Sequence, residues 1–169
     1  MDTVKNEFVQ LPEKRLNWKE SAERWSILEC FEHLNRYSLY YHSQIALSIT
    51  KAVKTDTAML ETKSTWLGRK FISMMHPDNV RKHRTYKKMN PRSCMLSAAV
   101  LAKFLQNQEE LLGLIREASS VNLNEVSVPV EFMKFLKMNI GDALQFVVMH
   151  EKRHMHQAQR IRLKTEQTA

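Results

Sequence analysis

From Leu28 onward, apolar side chains recur at three- and four-residue intervals: Leu28, Phe31, Leu34, Tyr41, Ile45 and Ile49. That spacing lines one face of a helix, and Ser26 followed three residues later by Glu29 supplies a capping box at its start. The pattern predicts a helix from Ser26 to about Lys54. A second run, from about Ser93 to Arg116, turns Leu101, Phe104, Leu105, Leu111, Leu112 and Ile115 inward. A third, from about Asn139 to Lys164, places Ile140, Ala143, Phe146, Val147, His150, His154, Ala158 and Ile161 on one stripe at roughly 100° per residue. Before these lies a short helix within residues 1–10 that ends before Pro12, and between them lie a connector from Thr55 to Asn90 with a short helix over Trp66 to Met75, and an irregular link containing Val128-Pro129. Three long amphipathic helices and a short one predict an all-α four-helix bundle, with the long connector between its second and third helices.

Composition narrows the setting. Three glycines and four prolines leave few hairpin signals, and 43% hydrophobic residues suffice for one core in 169 residues, so residues 1–169 are expected to form one domain. No apolar signal region opens the chain, and no run of about eighteen apolar residues is present to span a bilayer. A cytoplasmic protein is expected. Cys30 and Cys94 stand apart without a C-x-x-C spacing, the pattern of free, reduced thiols.

The stripe on the last helix carries the chemistry. A core-facing stripe is normally apolar, and an unpaired buried polar group costs roughly 1–3 kcal/mol, so His150 and His154 need partners. Two imidazoles at i and i+4 point the same way and can grip one divalent ion. The plainer reading is a pair of core histidines bonded to carbonyls. His150-Glu151-Lys152-Arg153-His154 also matches the H-E-x-x-H metalloprotease pattern, with Glu151 as the base. The common protease arrangements take a third ligand downstream. After His154 come fifteen residues with no histidine beyond His156, no glycine and Glu166 as the sole acid, so a tripod must be completed from upstream. His33, at the border of a stripe of Cys30, Leu34, Tyr37 and Tyr41, is the first choice for a half-open ligand at the mouth of a bundle. His42, His76 and His83 compete with it.

The net charge of +8 is densest at Arg81-Lys82-His83-Arg84, followed by Lys87, Lys88 and Arg92. No nucleic-acid-binding motif accompanies it and only Tyr86 interleaves an aromatic, so no specific nucleic-acid partner is expected. A solvated loop is the simplest reading. Its functional counterpart is a basic lip that draws in an anionic small molecule.

Several phrases, in order, resemble the DinB-like domain proteins, a family that includes YfiT-type proteins grouped as metal-dependent hydrolases. They are Leu16-Asn17-Trp18-Lys19, Trp25-Ser26-Ile27 leading into Glu32-His33-Leu34, Gly141-Asp142-Ala143-Leu144, and His150 to His154 with Gln157. The resemblance implies a four-helix bundle of the DinB/YfiT type that binds zinc, nickel or a similar divalent ion through His33, His150 and His154. Gln157 returns to the metal face and Tyr37 lies one turn beyond His33, so both are candidates to support the ligands. The N-terminal segment looks shorter than the family's first helix, which suggests a homodimer in which a partner chain completes the wall. Three neutral histidines leave a coordination position open, as in catalytic zinc sites. Some relatives resemble thiol-dependent transferases, so the leading expectation is S-transferase-like chemistry with a low-molecular-weight thiol as co-substrate. A metal-dependent hydrolase is the second expectation, and a non-catalytic metal clamp the third.

Overall fold

Among the described residues, six α-helices carry most of the structure: α1 (Asp2–Glu7), α2 (Glu13–Leu16), α3 (Ile27–Lys51), α4 (Trp66–Met75), α5 (Ala99–Ala118) and α6 (Ile140–Gln167). The computed structural model describes residues 1–54, 61–79, 81, 83–92 and 95–167. The basic Lys82, the expected helix start at Ser93, the second cysteine Cys94 and the connector residues 55–60 and 80 lie outside the described residues.

α3 begins as its capping box dictates. Ser26 Oγ accepts from Glu29 N at 3.1 Å, and Glu29 Oε2 accepts from Ser26 N at 2.9 Å. Glu29 is fully buried, and its other oxygen accepts from Lys19 Nζ at 2.6 Å, so the charge is paired where it is desolvated.

Two segments depart from expectation. The helix expected from Ser93 starts at Ala99. Side chains of the N-terminal segment tie down the preceding residues outside the helix: Asn17 pairs with both Leu96 N and Leu96 O, and Glu13 Oε1 accepts from Ala98 N at 2.8 Å. The same helix turns Asn107 and Leu114 inward, with Asn107 Nδ2 donating to Asn35 Oδ1 at 2.9 Å, and leaves Leu112 and Ile115 exposed. The second is the link after α5, which is an antiparallel hairpin of β1 (Ser127–Val130) and β2 (Met133–Asn139). Val128 and Val130 turn into the core and Val128 pairs with Met138. Pro129 is tolerated because both strands of a two-stranded sheet are edges.

α3 packs on both α5 and α6, and α4 packs on α6. The apolar side chains form two clusters. One gathers Tyr41, Ile45, Phe71, Leu111, Val128, Met138 and Phe146; the other gathers Phe8, Leu16, Phe31, Leu34, Leu101, Phe104 and Ala158. The N-terminal half of α3 and the C-terminal half of α6 share the second cluster, so the two helices run antiparallel. His33 lies at the edge of the second cluster, beside Leu34, while His150 and His154 lie on α6 between Val147 of the first cluster and Ala158 of the second.

The start of α6 is locked to the start of α4. Asn139 Oδ1 accepts from Asp142 N at 2.7 Å, while Asp142 Oδ2 accepts from Thr65 N and Thr65 Oγ1 at 3.0 and 2.9 Å. Gly68 is required at this crossing, because a Cβ there would collide with the Asp142 carboxylate. Among the described residues, no helix is long and apolar enough to cross a membrane.

Candidate metal centre

α3 delivers His33 and α6 delivers His150 and His154, one turn apart. One ligand nitrogen from each lies within 4.8 Å of the other two, and this is the one such group of His, Cys, Asp or Glu among the described residues. His33 Nε2 stands 3.1 Å from His150 Nε2. The ring centroids are 4.7 to 5.0 Å apart. Metal–nitrogen bonds of about 2.0–2.1 Å require ligand nitrogens about 3.0–3.4 Å apart, so the closest pair already has the spacing that one ion needs.

The protons are placed to suit. His33 Nδ1 lies 2.6 Å from Met89 O, and a carbonyl can only accept, so Nδ1 carries the proton and Nε2 the lone pair. His154 Nδ1 lies 2.9 Å from Gln157 Oε1, which fixes the same tautomer. Two neutral nitrogens as close as those of His33 and His150 are held either by a shared N–H or by a cation between their lone pairs.

Burial keeps the rings neutral. It pushes the His33 imidazole down to about 4, against the Met89 hydrogen bond, and the Arg36 guanidinium adds to the fall. His150 is held well below the ordinary histidine range by burial, then by His154, His33 and Arg153. His154 is likewise lowered by burial and His33, with the Gln157 bond opposing. His33 and His150 are buried, while His154 retains partial exposure as the outermost of the three. The expectation of a half-open His33 is therefore corrected, because aromatic rings cover it. Trp25 lies 4.7 Å from His33 and 5.5 Å from His154, and Tyr37 lies 4.8 Å from His33 and 4.6 Å from His150. Phe146 stacks on His150 at 5.7 Å.

The connector is tied down beside these ligands by two arginines. Arg36 NH1 donates to Lys88 O and Asn90 O, either side of Met89, while its Nε pairs with Glu32. Arg153, between the two α6 histidines, donates to the carbonyls of Met74, His76, Asn79 and Arg81. Trp25 Nε1 donates to Asn90 Oδ1 at 3.2 Å, closing the same segment over the site. The basic side chains of Arg81, His83, Arg84, Lys87, Lys88 and Arg92 are exposed.

The competing histidines lie elsewhere. His42 is buried with Nδ1 3.5 Å from Glu110 Oε2, His76 is exposed with Nδ1 3.5 Å from Asp78, and His83 and His156 are exposed. Glu151 does not join the histidines: it is partly buried toward α5 and accepts from Gln108 Nε2 at 2.8 Å. Burial pushes its carboxyl up to about 7 against that bond. Sequence reasoning missed Met89, which acts through its backbone and so leaves no side-chain signal. It also missed the clamps of Arg36 and Arg153, although Arg153 stands one residue before a candidate ligand.

Three neutral imidazoles from two antiparallel helices, with no carboxylate in the group, define a helical protein with a potential three-histidine metal centre. The chain belongs to the DinB superfamily, which it matches over residues 3–158. A curated relative, the uncharacterized protein YuaE of Bacillus subtilis (strain 168), is 25% identical over 162 residues, covering 95% of this chain and 91% of the relative. No solved structure matches.

Proposed function

We propose that this protein is a metal-dependent enzyme acting on a small molecule, with His33, His150 and His154 holding one divalent ion, zinc or nickel, and S-transferase-like chemistry on a low-molecular-weight thiol. On this reading α3, α4, α5 and α6 are the four helices of a DinB/YfiT-type bundle, in one domain. The observation that carries the proposal is the convergence of three buried, neutral ring nitrogens within 4.8 Å, two of them with their protons fixed on the far side of the ring.

A divalent ion bound there would stabilise the anionic form of a coordinated thiol or water and so supply a nucleophile near neutral pH. Because the ligands are neutral, the ion's charge is not offset within the group, which favours an anionic occupant of any remaining position. Met89 and Gln157 orient the rings, and such partners fix ligand tautomers and raise ligand basicity. Trp25 and Tyr37 shield the cluster from water. The exposed basic residues of the connector draw anionic molecules toward it. Glu151 is turned to α5, which takes from the hydrolase reading the base adjacent in sequence to His150.

The test is cobalt substitution followed by titration with small thiols, including sugar-linked ones. A sulfur-to-metal charge-transfer band is expected, absent in His154→Ala. Metal-dependent cleavage of activated esters without any thiol band would replace transfer by hydrolysis, and neither response would leave a metal clamp.

A further inference from the structure

α4 and β2 pack on one another and both pack on α6, so they form one layer with a common outward side. On α4 the buried residue is Phe71, and at about 100° per residue Trp66 and Arg69 point away from it. On β2 the buried Met138 faces inward, and alternation turns Phe135 and Lys137 outward. Phe135 and Trp66, at 78% and 68%, are the most exposed aromatic side chains among the described residues. Each is bracketed by exposed cations: Arg69 and Lys70 on α4, Lys134 and Lys137 on β2. From residue 62 to residue 92 the sequence holds one acid, Asp78. At the hairpin turn, burial raises the Glu131 carboxyl while Lys88 of the connector and Lys134 of β2 both lower it, so connector and hairpin bring their cations to one neighbourhood.

We infer that this face, built from α4, the hairpin and the basic connector, docks on an anionic lipid bilayer. Lysine and arginine are drawn to a negatively charged lipid surface, and exposed aromatic rings settle among its headgroups. The lysines beside Phe135 can keep their ammonium groups at headgroup level while the ring enters below them. A protein partner would call for a continuous apolar patch, whereas cations separate these two rings. Single-stranded nucleic acid would call for rings free to stack on successive bases. Here Lys70 Nζ lies 5.0 Å over the Trp66 ring, and Phe135 has no ring neighbour among the described residues. None of the three clustered histidines belongs to this face, so the inference does not rest on the metal centre.

The experiment is sedimentation of the full chain with vesicles of phosphatidylcholine, alone or with an equal part of phosphatidylglycerol. Binding to the anionic vesicles is expected at about 0.1 M salt, with release at about 1 M, where the Debye length falls to about 3 Å. No binding to the neutral vesicles is expected. Replacing both rings, Trp66→Ser with Phe135→Ser, keeps the net charge and should weaken binding by about tenfold. Lys134→Glu with Lys137→Glu should abolish it. Leu163→Ser, at a half-exposed position toward the far end of α6, should leave it unchanged, with circular dichroism showing every variant folded. Equal binding to both vesicle types, no binding to either, or unchanged affinity without the two rings would overturn the inference. So would tighter binding to a single-stranded oligonucleotide than to the anionic vesicles, which would assign the face to nucleic acid.

Discussion

The backbone carbonyl of Met89 accepts the Nδ1 proton of His33 across 2.6 Å. This contact joins the connector to a candidate ligand, and Arg36 holds the carbonyls on either side of it. Loosening the segment frees the ring to turn. Arg36→Ala should therefore weaken metal binding by about 10–100-fold, the usual cost of losing a partner behind a ligand. A competition titration against a chromophoric chelator measures it, and wild-type affinity in the variant would mean the clamp does not orient His33.

Gln157 plays the corresponding part for His154. Gln157→Ala should lower metal affinity by about tenfold, whereas Gln157→Glu should raise it, because a carboxylate accepting from Nδ1 makes the ring a better donor. The same chelator competition reads both changes, and the opposite order would contradict the assigned tautomer.

Acid should destabilise the metal-free protein between pH 6.5 and about 4. The unfolded histidine takes up a proton below about 6.5, while folded His33 does so only near 4. The unfolded chain thus binds more protons in that window, and stability falls as the pH falls through it. Glu151 slopes the other way: its carboxyl is raised to about 7 from 4.5, so its burial costs stability as pH rises through that interval. Urea midpoints at pH 7 and pH 5 should show Glu151→Gln more stable than wild type at pH 7 and with a steeper loss on acidification. A shallower loss would contradict these shifts.

At the crossing of α4 and α6, Gly68→Ala should cost about 1–3 kcal/mol, since the added methyl forces the Asp142 carboxylate away from Thr65. Chemical denaturation of the variant measures it. In Asp142→Ala the obstacle is gone, so adding Gly68→Ala to that background should cost less than in wild type.

The helices were legible where one periodicity ruled. Ser26 and Glu29 announce α3, and the stripe from Ile140 to Ala158 carries the two α6 histidines. α5 was harder because apolar residues occupy more than one face: Leu112 and Ile115 read as core until Asn107, paired with Asn35, turns the helix. The hairpin escaped notice because its turn, Glu131-Phe132, has no glycine or asparagine and its inward positions are few. His33 was placed by position and resemblance, but its depth depends on Trp25 and Tyr37, which approach only in the fold. Met89 is invisible in the sequence because any residue has a carbonyl.

Elemental analysis of the purified protein beside His33→Ala, His150→Ala, His154→Ala and His42→Ala bears most directly on the metal centre. About one divalent first-row ion per chain is expected in wild type and in His42→Ala, and little or none in the other three, provided circular dichroism shows each of them folded. Full metal retention in any folded variant of His33, His150 or His154, or metal loss confined to His42→Ala, would contradict a centre built on these three histidines.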